Sequence, residues 1–246
     1  MQAVKLMWLR LKKASVVATK PFLRKVFFRF GVLAAVEHKW VITQDFKTVV
    51  DIGANRGQFS LAVRAFSEAK IYAFEPLEGP AVICKNIFAN DDNFELFQVA
   101  IGEVSGNVDM HVAESDDSSS LLEIGSKQVE YYPSSKEVGL TKVRVGTLDE
   151  FIPEARIGEA ALLKIDVQGY ELNVLKGCTL LLDKFQYIYC ECSFVELYTG
   201  QATADEVIIF LSNRGFKLIG TYNVNFDASG RTSIQADLLF VNIKNS

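Results

Sequence analysis

Two periods alternate along the chain. Short continuous apolar runs, rich in β-branched and aromatic residues, recur at 48–52, 70–75, 94–101, 160–166, 186–192, 216–222 and 236–243. Runs of this length, bounded by turn residues, read as strands buried on both faces. Between them the apolar residues return every three or four positions. Phe59, Ala62, Val63 and Phe66 predict a helix over 58–66, and Val82, Ile83, Ile87 and Phe88 one over 79–89. A third is expected from Glu171 to about Leu182. Val207, Ile208, Phe210 and Leu211 mark a fourth over 203–213, with Gly215 as its stop. Strands alternating with helices require a mostly parallel sheet covered on both faces. The last two strands have no helix between them, which predicts a reversed edge strand.

Three stretches depart from this rhythm. Gly102 and Gly106 bracket a tight turn into Val108–Val112, whose alternation predicts a hairpin, and residues 142–146 read as another strand. Thr147–Phe151 reads as a capped helical turn. Glu114–Ser120 is too polar for core and reads as a mobile surface loop or a lid.

The first 44 residues stand apart. Residues 1–30 carry Lys5, Arg10, Lys12, Lys13, Lys20, Arg24, Lys25 and Arg29 and no acid. Val4, Leu6, Met7, Trp8, Leu11, then Phe22, Leu23, Val26, Phe27 and Phe30, supply an apolar side, so one or two basic amphipathic helices are expected, with Pro21 breaking or starting one. Two roles stay open for this segment: peripheral docking on an anionic membrane surface or partner, and packing on the domain with its basic face in water. Residues 45–246 form the main domain. No signal peptide and no spanning helix of roughly 18 apolar residues is read.

Net charge is −4 although the amino-terminal segment is strongly basic, so the remainder is acidic, which argues against a nucleic-acid partner. Cys84, Cys178, Cys190 and Cys192 form no CxxC pair and read as reduced, buried thiols, fitting a cytoplasmic protein.

The chain is organised around Val49-Val50-Asp51-Ile52-Gly53-Ala54-Asn55-Arg56-Gly57-Gln58-Phe59. Strand, glycine turn and helix start make a ligand site at the carboxyl end of a parallel strand. Glu75, about twenty residues on at the end of the next strand, has the position and charge of a ribose-hydroxyl acceptor. Asp51, Glu75, Asp166 and Glu191 place acids at four strand ends. A carboxylate beside the turn repels a pyrophosphate and pairs with an ammonium. Asn55 stands where a dinucleotide turn has its second glycine, which disfavours NAD. An amino acid joined to a nucleoside, as in S-adenosylmethionine, satisfies both constraints.

These stretches, with Phe74-Glu75-Pro76, Ala100-Ile101-Gly102, Ser118-Ser119-Ser120-Leu121 and Leu163-Lys164-Ile165-Asp166-Val167-Gln168-Gly169-Tyr170-Glu171, resemble in order and spacing the FkbM family of S-adenosylmethionine-dependent methyltransferases. The resemblance covers about residues 45–243. It implies the class I methyltransferase fold, a Rossmann-like seven-stranded sheet with the last strand antiparallel. It implies O-methylation of a sugar hydroxyl in a glycolipid, polysaccharide or natural product, so a small-molecule or glycan acceptor. By position, Asp51, Gly53, Asn55 and Gly57 are expected to frame the methionine part and Glu75, followed by Pro76, to take the ribose hydroxyls. Ala100, Ile101 and Gly102 are expected near the adenine, and Asp166 at the reacting centre.

Methyl transfer to an alcohol needs positioning and a base. Asp166 or Glu191 is expected as that base, with Lys164 or one of Ser118, Ser119 and Ser120 orienting the acceptor. Hard oxygen ligands are present for a two-carboxylate Mg²⁺ site, but no third ligand appears and no metal is assigned. Glu171 reads as a first-turn helix acid, His111 as packed or solvated, His38 as incidental. The competing functions are an NAD-dependent oxidoreductase and a scaffold that binds the cofactor without turnover.

Overall fold

In a computed structural model of the chain, Val16 and residues 19–244 are described. The helical patterning expected over residues 1–15 lies outside them. Seven strands form one sheet in the order β3-β2-β1-β7-β8-β10-β9. They are β1 Thr48–Ile52, β2 Lys70–Phe74, β3 Phe94–Phe97, β7 Ala161–Ile165, β8 Phe185–Ser193, β9 Phe216–Phe226 and β10 Ser233–Asn242. Pairing is parallel from β3 through β8. Only β10 runs against its neighbours, β8 and β9, so the reversed strand lies inside the edge rather than at it. This is the class I, Rossmann-like methyltransferase arrangement that the resemblance implied.

The two-residue period of each strand divides the core. Val50, Ile52, Leu163 and Ile165 face one layer, with Val174, Leu175 and Val207 of the helices Glu171–Gly177 and Ala204–Ser212. Val49, Ile71 and Leu162 face the other, with Leu61 and Val63 of the helix Gln58–Phe66. Leu23 and Val26 of the helix Pro21–Phe30, then Val32, Ala34, Val41 and Ile42, are buried in that second layer. The segment 21–42 therefore packs on the domain through these residues. Among the described residues no helix is long and apolar enough to cross a membrane.

Three expectations are corrected. The run 94–101 is not one strand. After Phe97 the Val99 N–H turns back to the Phe97 carbonyl at 3.0 Å, and β4 (Ala100–Ile101) leaves for a second sheet of order β4-β6-β5. There β5 (Gly106–Ala113) pairs antiparallel with β6 (Glu137–Gly146), so the hairpin-like alternation of Val108–Val112 answers to β6 and not to the strand before it. The helix expected to reach Leu182 ends at Gly177, where a Cβ would lie 2.2 Å from the Gly102 carbonyl oxygen. The capped turn is present: Thr147 and Glu150 form a reciprocal capping box around Leu148–Glu150.

Candidate active site

A cavity of about 320 Å³ opens at the carboxyl ends of β1, β2 and β7, within the size range of small-molecule sites. Its floor is the turn after β1. Gly53 (φ +79°) lets this turn close on the β7 loop, because a Cβ there would stand 1.8 Å from the Asp166 carbonyl oxygen. Gly57 (φ +88°) caps the next helix, and its missing side chain leaves room for Phe88 and Cys84; it does not border the cavity.

Glu75 stands on the cavity wall, 5% exposed. Its Oε2 accepts the Asn55 N–H and its Oε1 the Leu77 N–H, both at 2.8 Å. A carboxylate offers about four lone-pair sites, so capacity remains for two hydroxyls. Burial pushes its pKa up to about 7, against the pull of those two N–H groups. Pro76, Ala100 and Ile101 line the same end with Leu77, Val99, Met110 and Leu121, an apolar wall suited to a flat base. Gly102 is outside it: its N–H donates to the Gly146 carbonyl, and a Cβ there would press on Val145.

Asp51 does not line the cavity. It is 0% exposed, accepts a hydrogen bond from Ser60 Oγ at 2.7 Å, and pairs with Lys164 Nζ at 3.1 Å. The strand register sets the two side by side on β1 and β7. Lys164 also donates to the Gly53 carbonyl at 3.0 Å and lies 3.8 Å from Asp166 Oδ2. Burial pushes the Lys164 pKa down, but Asp51 and Asp166 outweigh it and the net shift is upward. Lys164 lines the cavity, and these contacts also tie its floor together.

Asp166 borders the cavity; Glu191 does not. Gln168 joins them, its Nε2 donating to Asp166 Oδ1 and Glu191 Oε2, each at 2.8 Å. The Tyr198 hydroxyl lies 3.0 Å from Gln168 Oε1, and Gln235 Nε2 donates to Glu191 at 2.6 Å. Gln168 holds this bridge at φ +56°, a conformation that costs a non-glycine residue energy. Burial, then the charges of Asp166 and Asp237, raise the Glu191 pKa well above the usual carboxylate range. Burial and the neighbouring acids thus favour the neutral form of Glu191. Glu171 accepts the Val167 and Gly169 N–H groups, so it holds this loop in shape, and burial raises it to about 7.

The three serines help to shape a loop. Ser119 Oγ accepts the Ala113 N–H, Ser120 Oγ accepts the Leu122 N–H, and the Ser118 carbonyl faces Tyr198. Only Ser119 reaches the cavity wall. Asp116 and Asp117 of the same loop also line it, and Arg56 clamps Asp116 through Nε at 2.9 Å and Nη2 at 2.6 Å. Asn55 Nδ2 adds a contact to Asp116 at 3.3 Å.

The sequence reading missed the contribution of the segment before β1. Ala35, Glu37 and His38 line the cavity beside Gln58 and Phe59. The Ala35 N–H donates to the Gln58 carbonyl at 2.9 Å. His38 Nδ1 lies 2.9 Å from the Tyr189 hydroxyl and 3.5 Å from Asp237, and its ring meets Phe59 edge-on. A signal was there: a lone Glu-His pair ending a stretch without acids.

Two observations test S-adenosylmethionine against these residues. Gln58 Oε1 is buried on the wall without a hydrogen-bond partner among the described residues and wants a donor, such as an ammonium. The wall carries five carboxylates (Glu37, Glu75, Asp116, Asp117, Asp166) and one ammonium, Lys164. That balance suits a ligand bearing an ammonium and a sulfonium and opposes a diphosphate. The residues fit the cofactor.

Comparison with known proteins agrees. Residues 51–218 match the Methyltransferase FkbM domain. The chain is 29% identical over 181 residues to the 2-O-methyltransferase NoeI of Sinorhizobium fredii (strain NBRC 101917 / NGR234), covering 71% of this chain and 74% of that protein. It is 28% identical over 196 residues to the methyltransferase sdnD of Sordaria araneosa, covering 69% and 73%. Similar solved structures include an rRNA methylase from Streptococcus thermophilus (14% identity, TM-score 0.47, 84% and 94% covered). Another is Streptococcus pneumoniae Sp1610, described as a putative tRNA (m1A22) methyltransferase in complex with S-adenosyl-L-methionine (12%, TM-score 0.48, 85% and 73%). The chain belongs to the FkbM methyltransferase family, and S-adenosylmethionine is its expected cofactor.

Proposed function

We propose that the protein is an O-methyltransferase that uses S-adenosylmethionine to methylate a hydroxyl of a carbohydrate acceptor, in a glycolipid, polysaccharide or natural product. The observation that carries this is the acidic cavity wall with its buried, partnerless Gln58 oxygen. The family membership and the likeness to a 2-O-methyltransferase support the oxygen-directed reading. The same wall speaks against the oxidoreductase alternative. Four buried, unpaired cysteines support a reducing, cytoplasmic setting.

The bound cofactor supplies an electrophilic methyl on a cationic sulfur; the chain's residues do the rest. Glu75 takes the ribose hydroxyls, and the apolar wall around Ile101 takes the base. Gln58 and the carboxylates near it hold the amino-acid end. Asp166 accepts the acceptor's hydroxyl proton, because it is the acid of the pair that faces the cavity. Glu191 and Gln168 act through Asp166, fixing its carboxylate from behind. Positioning supplies the larger part of the rate and the base a further factor of about 10²–10⁴.

The test is methyl transfer from labelled S-adenosylmethionine into a glycan acceptor pool by Asp166→Asn and Glu191→Gln variants. Asp166→Asn is expected to lose about 10²-fold or more in rate with cofactor binding retained, and Glu191→Gln to lose less. Full activity in Asp166→Asn overturns the assignment of the base.

A further inference from the structure

The described part of the amino-terminal segment carries a surface that the methyltransferase site does not use. The helix Pro21–Phe30 buries Leu23 and Val26 against the domain, leaves Phe22 and Phe27 partly exposed and puts Phe28 in water at 83% exposure. Trp40 is 77% exposed on the short helix Lys39–Ile42. Lys20, just before the first helix, and Lys39 of the second both approach Phe66, whose ring lies 5.7 Å and 5.3 Å from their Nζ atoms. Lys20, Lys25, Arg29 and Lys39 are exposed on the same elements. Eight of the chain's 26 Lys and Arg residues, and none of its 30 Asp and Glu residues, precede Glu37. The remaining chain is therefore acidic, and this surface is the place where charge favours an anionic partner.

A second observation narrows the partner. A cavity of about 280 Å³ lies beside this helix. Phe22, Phe30 and Phe88 give it an apolar interior, and Lys25 and Arg29, one helical turn apart, also line it. Arg64 and Asp91 border it too but neutralise each other at 2.7 Å. Among the described residues neither Lys25 nor Arg29 has a carboxylate partner. Two cations beside an aromatic pocket match a phosphate attached to hydrocarbon; a free anion would leave the aromatic surface unused.

We propose that the helix Pro21–Phe30, together with Trp40, is an in-plane anchor for an anionic phospholipid surface, with Lys25 and Arg29 engaging a lipid phosphate at the neighbouring aromatic cavity. Aromatic side chains exposed among cations are the composition of an interfacial helix. Each cation near an anionic leaflet strengthens binding about fivefold and is screened by salt. This inference stands whether or not the methyltransferase reading does.

The test is co-sedimentation of the full chain with vesicles of phosphatidylcholine alone and of phosphatidylcholine mixed with phosphatidylglycerol. Binding is expected only to the mixed vesicles and is expected to weaken with added salt. Lys25→Gln with Arg29→Gln is expected to weaken it about 25-fold, from two cations at about fivefold each. Phe28→Ser with Trp40→Ser is expected to weaken it without a change in thermal unfolding, since both side chains already stand in water. Soluble glycerol phosphate is expected not to compete. Three results overturn the proposal: no binding to mixed vesicles, equal binding to neutral ones, or self-association through Phe28 and Trp40 in place of vesicle binding.

Discussion

Lys164→Met is the substitution that most sharply probes how the cavity floor is built. Met keeps the length of the side chain and removes its charge. Asp51, fully buried, would then retain only the Ser60 hydroxyl as a donor. Removing one partner of a buried ion pair costs about 3–5 kcal/mol, because the other charge is left uncompensated. For a domain of this size each kcal/mol moves the melting temperature by about 2–4 °C, so a fall of about 6–20 °C is expected in a circular-dichroism melt. Lys164→Met combined with Asp51→Leu replaces the pair by apolar groups and is expected to recover most of the loss. A single variant that melts within about 2 °C of the parent refutes the reasoning, for Asp51 would then not depend on Lys164.

Glu75 titrates at about 7 in the folded chain against 4.5 for a free side chain. Its ionised form is the better hydroxyl acceptor, so S-adenosylhomocysteine binding is expected to tighten from about pH 6 to about pH 8, with Glu75→Gln abolishing that slope. The stability sign is opposite: a raised carboxyl stabilises fully only below its unfolded pKa and loses that contribution as pH rises through about 7. Arg56→Ala releases the 115–119 loop. Its ion pair with Asp116 is partly exposed, so about 1 kcal/mol is at stake, and calorimetry is expected to show cofactor affinity falling by about fivefold. His38→Ala removes a wall residue and opens the Tyr189–Asp237 contact, so weaker cofactor binding is expected with the 58–66 helix still formed.

What the sequence made legible was local. The turn after β1 was readable because strand period, two glycines and helix period adjoin within a dozen residues. The acid after β2 was readable because its spacing is fixed by one helix and one strand. The kink at Phe97–Val99 was hidden inside an unbroken apolar run, since a change of sheet needs no change of hydrophobicity. The partner of Asp51 was hidden because Lys164 is its neighbour only through the β1–β7 register. A charge can be read from sequence, but its neutralisation cannot. For the same reason the ligand selection first read from Asp51 passes, in the proposed function, to the five acids of the cavity wall. His38 was passed over because nothing in its own segment points to Tyr189 and Asp237, which lie 151 and 199 positions away in the chain.

The most direct measurement is calorimetric titration of the intact protein with S-adenosylmethionine, S-adenosylhomocysteine and NAD under one condition. An acidic wall around a partnerless Gln58 oxygen predicts saturable one-to-one binding of both adenosyl compounds and no heat from the dinucleotide. Saturable binding of NAD by folded protein that ignores both adenosyl compounds contradicts it.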